Sequence, residues 1–398
     1  MELCNIIRDF SASTQTPFYI YSEPEIDCVI TALKECFREK EYSFLYAVKA
    51  NSNPHIIKLL GTSGFGADAC SVEEIRIALM SGIPPESIYY NADCLMPYEI
   101  YMAVQAGVNI TIGSMDALRI ITDNHPGTSV SLRINSGVGA GHSAKVITNG
   151  ELSKFGIQPS ELCEAEALCR EASVTIDGLH SHTGSGEMDA ANYIENAGIM
   201  AELAKGFSSL KFINFGGGFG YDYVKHKPYD ISAIHSSLNE LRSTYDINSD
   251  IRFIIEPGRY MVAGAGILIS QVTSVKRTSS RNFIGLDTGH NHFPRCFLYD
   301  AWHDIENMSA SQTAQETYDI AGYLCQSGDI FARQRTLPLT NVGDLMCIKD
   351  TGAYGFSMSS NFNSRVRPPE YLLRKNGDIT LIRRAETFND IISTCVLD

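Results

Sequence analysis

Between about residue 40 and residue 256, short apolar runs alternate with longer stretches in which apolar residues recur every three to four positions. The runs read as strands ending near Lys49, Asp68, Asn91, Ile112, Asn135, His182, Phe215 and Glu256. Helical spacing begins at Pro54 and recurs over residues 71–81, 97–106, 115–123, 160–171, 190–204 and 231–245. About eight strand–helix units in succession predict a closed (β/α)8 barrel of the α/β class, with a doubly wound open sheet as the alternative. Ahead of them, Pro17-Phe18-Tyr19-Ile20-Tyr21 reads as a short strand and residues 23–38 as a helix. After about residue 266 the pattern changes. Ile267-Leu268-Ile269-Ser270-Gln271-Val272, Phe283-Ile284-Gly285-Leu286, Leu345-Met346-Cys347-Ile348 and Ile379-Thr380-Leu381-Ile382 read as strands with few helices between them, which predicts a second, all-β domain. Nothing in the barrel requires the strand at Phe18, so it is expected to join that domain. The expected division is a barrel over residues 24–265 and a β-sandwich or β-barrel domain from residues 1–23 plus 266–398.

In a (β/α)8 barrel, chemistry sits at the C-terminal ends of the strands. Lys49, Asp68, Asn91, Arg133, His182, the glycines after Phe215, and Glu256 with Arg259 all fall there. Lys49 closes the apolar run Phe44-Leu45-Tyr46 and has an apolar wall behind it. Desolvation disfavours an ammonium, so an amine in that position can act as a nucleophile toward an aldehyde. Lys49 is therefore the candidate to hold pyridoxal phosphate as a Schiff base. A strand-end lysine that merely reaches water is the ordinary structural reading.

Composition narrows the class. With 398 residues and 44% hydrophobic content, the chain can build two sizeable cores. A net charge of −14 argues against a nucleic-acid partner. Met1-Glu2-Leu3-Cys4 has neither a basic nor an apolar leader character, and the weakly polar stretch at residues 261–269 is too short to cross a bilayer. The 11 cysteines are scattered without a Cys-x-x-Cys pair, which favours a reducing cytoplasm over a disulfide framework or a zinc site. Most of them are expected to be small buried hydrophobes.

Three further stretches carry chemistry. In Phe215-Gly216-Gly217-Gly218-Phe219-Gly220 the glycines let backbone N–H groups converge on an anion, although a glycine run is more often only a tight turn. Nucleotide-binding glycine fingerprints do not match it. Glu256-Pro257-Gly258-Arg259 places a carboxylate and a guanidinium at one strand end. They could simply pair; alternatively Arg259 holds a phosphate while Glu256 faces a pyridine nitrogen and keeps it protonated. His180-Ser181-His182-Thr183-Gly184-Ser185 offers an imidazole, His182, to stack on the ring and a hydroxyl, Ser185, for the phosphate. A metal at His180 and His182 lacks a third ligand. In the β domain, Cys325-Gln326-Ser327-Gly328-Asp329 reads as an exposed loop whose thiol could deliver a proton. Gly352-Ala353-Tyr354-Gly355 puts a tyrosine hydroxyl on another loop.

Taken together, Tyr46-Ala47-Val48-Lys49-Ala50, Gly139-Ala140-Gly141-His142-Ser143 with Ser153-Lys154-Phe155-Gly156-Ile157, Glu256-Pro257-Gly258-Arg259, and the run from Gly352 through Ser357-Met358-Ser359-Ser360-Asn361-Phe362-Asn363-Ser364-Arg365 resemble the barrel-type (fold type III) pyridoxal-phosphate decarboxylases. These share an alanine-racemase-like fold, and the likeness is closest to the bacterial diaminopimelate decarboxylases. It covers nearly the whole chain. The resemblance implies a carboxy-lyase with pyridoxal 5'-phosphate as cofactor and no metal. It implies Lys49 as the Schiff-base lysine, Asp68 among the cofactor-binding residues, His182 on the ring and Glu256 on the pyridine nitrogen. Ser185, Gly217, Gly218, Arg259 and Tyr354 would hold the phosphate. Cys325, from the second subunit of a homodimer with shared sites, would protonate the carbanion left by carbon dioxide. Arg295 and Tyr299 would bind the distal carboxylate of the substrate.

One departure bears on the substrate. The family resembles Cys-Glu-Ser-Gly-Asp at the thiol loop, with the glutamate on the substrate's distal ammonium; here the residue is Gln326. A neutral amide gives up the charge-assisted bond, about 1.5–3 kcal/mol in a buried site. The sequence therefore points to an amino-acid substrate with an anionic far end, such as a 3-amino-3-carboxypropyl group on the phosphate of a peptide-nucleotide antibiotic. The alternative is that Gln326 is tolerated and the substrate is meso-diaminopimelate. A racemase would need a second base opposite the lysine, and a non-catalytic regulator would be expected to lack some of Lys49, Glu256, Arg259, Cys325 and Tyr354.

Overall fold

The computed structural model describes residues 2–310 and 313–396. The chain divides into two compact units, Val29–Tyr221 with Pro228–Met261, and Met1–Cys28 with Asp222–Lys227 and Val262–Asp398.

In the first unit, eight parallel strands close into a barrel. They are Tyr42–Ala47, Gly66–Ala69, Ile88–Asn91, Asn109–Ile112, Ser129–Arg133, Thr175–His180, Phe212–Asn214 and Arg252–Ile255. The last strand pairs with both the first and the seventh, which rules out the open sheet. Each strand ends within two residues of the position expected from the apolar runs. Buried strands on both faces need continuous apolar runs, and that is what the sequence supplies.

Side chains alternate across a strand, so every second residue points into the barrel. Leu45, Tyr89, Phe212 and Ile254 form a buried cluster there. Gly178 makes room for the Phe212 ring, since a Cβ at Gly178 would come within 2.1 Å of it. Two residues beyond this apolar plug, the same register delivers polar groups. Asn91 follows Tyr89, His180 follows Gly178, Asn214 follows Phe212 and Glu256 follows Ile254. The plug closes the barrel below, and the polar layer forms the floor of a mouth at the C-terminal end.

Three of the barrel helices start where a side chain satisfies one of their first N–H groups. The Asn53 side chain accepts from His55 N ahead of helix Pro54–Thr62, Ser71 accepts from Glu74 N ahead of Val72–Met80, and Ser114 accepts from Ala117 N ahead of Met115–Asn124. These caps fix the loops that leave the mouth.

The second unit holds nine strands among the described residues in one mostly antiparallel sheet. Strand Phe18–Ser22 pairs antiparallel with Gly266–Arg277 and parallel with Glu370–Leu373. Four strands escaped the sequence reading: Ile305–Asn307, Gln315–Ala321, Ile330–Pro338 and Glu370–Leu373. Their charged or bulged stretches hide the period-two pattern; the pairing of Gln315–Ala321 with Ile330–Pro338 shifts register twice. An N-terminal helix, Glu2–Ser13, was also not anticipated. The cysteine expectation fails as well. Of the ten described cysteines, all free, only Cys169, Cys296 and Cys347 are buried. No helix among the described residues is long and apolar enough to cross a membrane.

Candidate active site

Lys49 lies in a 3-10 turn, Val48–Ala50, directly after the first barrel strand. It is not the isolated amine that desolvation alone would leave. Its Nζ sits 2.6 Å from Asp68 Oδ2 and 3.5 Å from Cys70 Sγ. The turn can approach the end of the last strand closely because Gly258 has no side chain: a Cβ there would lie 2.9 Å from the Ala47 Cβ and 3.2 Å from that of Ala50. Ala47 N donates to Pro257 O at 3.3 Å across the same gap.

Behind the lysine lies a buried polar network. Asn91 Nδ2 donates to Asp68 Oδ1 at 2.8 Å and to Glu256 Oε1 at 2.7 Å. Asn214 Nδ2 donates to the same Glu256 oxygen at 2.7 Å. His180 Nε2 faces Glu256 Oε2 at 3.3 Å. Burial alone would push the Glu256 carboxyl up, but His180, Lys49 and His182 outweigh it and hold the group at about 2. Asp68 moves the other way: burial and the Glu256 charge raise it against the pull of Lys49. Burial, with the Lys49 charge beside it, lowers His182 to about 3, so its imidazole is neutral. A neutral ring can lie against an aromatic cofactor without adding charge.

Beside the network is a cradle of backbone. Gly216 and Gly218 adopt φ of +72° and +107°, in the left-handed region that favours glycine. A Cβ at Gly217 would lie 2.0 Å from Glu256 O. Gly217 N donates to His182 Nδ1 at 3.2 Å, which fixes the imidazole to the glycine loop. Arg259 Nη2 donates to Ser185 Oγ at 3.0 Å. The loop after residue 137 is tied down to this cradle by His142 N, which donates to Ser185 O at 3.0 Å.

These residues fit pyridoxal phosphate. An amine sits within reach of an aldehyde position, an ionised carboxylate suits a protonated pyridine nitrogen, and a guanidinium, a hydroxyl and a glycine turn converge where a phosphate needs donors. The buried His180 Nδ1 has no protein partner, consistent with a polar pocket built to take a ligand. No group of three or more metal-ligating side chains occurs among the described residues.

Sequence reasoning singled out Lys49, Asp68, His182, Ser185, Gly217, Gly218, Glu256 and Arg259, and the structure places all eight at this mouth. It passed over Asn214 and Cys70. Asn214 had a signal: it stands two residues beyond an inward apolar residue, like Glu256. Arg133, noted only as a strand-end charge, pairs with Asp93 Oδ2 at 2.9 Å, and its guanidinium covers the Phe155 ring at 4.4 Å.

The remaining candidates belong to the second unit. Cys325 is exposed, and its N–H donates to Asn363 Oδ1 at 3.0 Å. Gln326 Oε1 lies 2.8 Å from His290 Nε2. The His290 ring stacks on Phe297 at 4.4 Å and on Phe362 at 5.7 Å. Asp329 anchors this loop by accepting from His290 N and Leu324 N. Arg295 is buried, with Nη1 3.0 Å from His303 Nε2 and its guanidinium over the Tyr223 ring. Tyr299 ends the short helix Arg295–Tyr299, and Tyr354 sits on its loop at φ +56°.

Comparison with known proteins gives the family of the chain. Residues 25–263 match the family model described as pyridoxal-dependent decarboxylase, pyridoxal binding domain. The chain is 36% identical over 392 residues to the diaminopimelate decarboxylase of Methanothermobacter thermautotrophicus, covering 95% of this chain and 91% of that protein. It is 34% identical over 409 residues to the diaminopimelate decarboxylase of Escherichia coli K12, covering 98% and 96%. The crystal structure of diaminopimelate decarboxylase from Helicobacter pylori complexed with L-lysine superposes with a TM-score of 0.90 at 30% identity, covering 97% of this chain and 98% of that one.

Proposed function

The chain belongs to the pyridoxal-dependent decarboxylase family, and from that premise we propose that it removes the α-carboxylate of meso-diaminopimelate to give lysine. It is an enzyme of the amino-acid decarboxylase class and uses pyridoxal phosphate. The observation that carries the mechanistic reading is the buried line from Lys49 through Asp68 and Asn91 to Glu256, with Arg259 and Ser185 beside it. When bound, the cofactor supplies an electron sink for the pair left on Cα as carbon dioxide departs.

The residues of this chain do the rest. Lys49 is the amine that holds the cofactor's aldehyde carbon, and Asp68 orients it. Glu256, held ionised, would keep a proton on the ring nitrogen. His182, neutral, would lie against the ring. Ser185, Gly217, Gly218, Arg259 and Tyr354 hold the phosphate. Cys325 of a second copy in a homodimer delivers the proton to Cα, and Arg295 with Tyr299 takes the distal carboxylate.

The expected preference for an altered distal group gives way here to its alternative, because relatives named diaminopimelate decarboxylases match almost end to end. A second reading retains one specific support. Gln326 is a neutral amide whose Oε1 is already engaged by His290, inside a stack of three rings. Such a surface suits a distal group other than an ammonium, for example a phosphate-bearing tail. Mass spectrometry of the loaded enzyme with meso-diaminopimelate decides between them. Conversion to lysine supports the first reading. A loaded, folded protein that leaves meso-diaminopimelate intact sinks it, and amino acids with phosphate tails are then the substrates to offer.

A further inference from the structure

We infer that Asn91 is a positioning residue that ties the carboxylate partner of Lys49 to the carboxylate expected at the ring nitrogen, so that one amide group keeps both acids ionised in the same buried pocket. The amide NH2 has two hydrogens, and the structure gives one to each acid: 2.8 Å to Asp68 Oδ1 and 2.7 Å to Glu256 Oε1. Only the NH2 end can face two carboxylates; the carbonyl end there would meet two acceptors. The cost of this orientation is visible on the other side, where the buried Asn91 Oδ1 has no protein partner. A group that gives up one hydrogen bond to hold two others is fixed by the acids.

The arrangement decides which acid yields when the amide is removed. Asp68 is 0% exposed, and Glu256, 5% exposed, follows the last barrel strand, which the first strand separates from that of Asp68. Around Asp68 stand Lys49 from the turn after the first strand, Cys70 and Glu74 at the start of the next helix, and Glu256 across the barrel. Around Glu256 stand His180, His182 and Lys49. Glu256 keeps a second amide donor, Asn214, and the imidazole of His180. Among the described residues, Asp68 has Lys49 and Asn91 as its side-chain hydrogen-bond donors. Without Asn91, two negative groups share a dry pocket with one donor fewer each, and Asp68 takes the proton. The bridge acts in the bare protein; its catalytic consequence rests on the roles proposed for Lys49 and Glu256.

Asn91→Ala removes the bridge, and Asn91→Asp keeps the shape while replacing the donor by an acceptor. Infrared titration of the protein without cofactor reads the carboxyl C=O stretch of a protonated acid directly. In both variants this band is expected to persist about one to two pH units higher than in the wild type, the size of one charge-assisted hydrogen bond. Adding Asp68→Asn to Asn91→Ala, which brings no new carboxyl, should delete the extra band. In the loaded protein, the visible absorbance of the cofactor should titrate in the variants over the range where it is flat in the wild type. Asn91→Asp titrating like the wild type would overturn the inference even if Asn91→Ala failed to fold. So would an extra band that survives Asp68→Asn and disappears with Glu256→Gln. Failure of the decarboxylase reading would leave the infrared result untouched and would appear only in the absorbance.

Discussion

The barrel mouth and the Cys325 loop are both assigned to one reaction, yet they are built on opposite plans. At the mouth, both carboxylates are buried and each has at least two named partners: Asp68 has Lys49 and Asn91, and Glu256 has Asn91, Asn214 and His180. At the thiol loop, Cys325 and Gln326 are exposed; Asp329 anchors the loop from within, and Gln326 meets only the His290 ring, which stacks on Phe297 and Phe362. Buried, mutually satisfied groups resist change, because removing any one leaves another unpaired in low dielectric. Exposed residues held by stacking can be exchanged at small cost. The contrast teaches where reaction type and substrate choice reside. On the proposed roles, the mouth would fix the chemistry and the loop would be free to select.

The largest effect that tests this division comes from Lys49→Ala. It should abolish covalent capture of the cofactor, read as loss of the mass increment after borohydride reduction, and decarboxylation should fall below detection. Retention of the increment would remove Lys49 from the mechanism and with it the special status of the mouth. Next is Cys325→Ala. Loss of a positioned proton donor should slow product formation by about 10²–10⁴-fold while leaving cofactor loading unchanged. A variant with wild-type turnover would mean that the exposed loop contributes no chemistry at all.

The same contrast explains what the sequence made legible. Barrel strands must be continuously apolar, and a polar residue where such a run ends stands out against it, which is why Lys49, Asp68, Asn91 and Glu256 were visible. The glycine run was visible because positive φ leaves little choice of residue. The second unit offered no such background. Strands like Gln315–Ala321, half exposed and bulged, carry no clean alternation, and the ring stack under Gln326 joins residues 290, 297, 326 and 362, which no local pattern connects. The Cys325 loop was legible as an exposed thiol loop, but the part expected of Gln326 came through resemblance. The substrate expectation drawn from Gln326, with Arg295 and Tyr299 as the grip on a distal anion, then leaned on three side chains, against a likeness that spans the chain.

Substitution at that side chain gives a smaller effect. Gln326→Glu should raise kcat/KM for meso-diaminopimelate about tenfold by restoring a charge-assisted bond to a distal ammonium. Steady-state kinetics on both proteins checks it. No change, or a decrease, would favour a substrate whose far end is not cationic and would sharpen the view of the loop as the selecting region.

The smallest effect probes stability, and it separates the loop region's supporting core from its surface. His292 lies in the second unit, buried at 2% exposure. Its Nε2 is 2.9 Å from Val366 O and so carries the hydrogen, while Nδ1, 3.0 Å from Thr288 Oγ1, accepts. Burial, with the Arg365 charge nearby, lowers the imidazole to about 4. The unfolded chain has an ordinary histidine, near 6.5, and therefore binds the proton first as pH falls. Stability that is fully present above about pH 6.5 should decline toward pH 4, with a limiting slope of about 1.4 kcal/mol per pH unit from this group. Denaturant unfolding at pH 7.5 and 5.5 should give a loss of roughly 1 kcal/mol in the wild type that is absent in His292→Gln, once the pH response common to both is subtracted. An equal loss in both proteins would mean that His292 titrates freely, and that the second unit's interior is as open as the loop it carries.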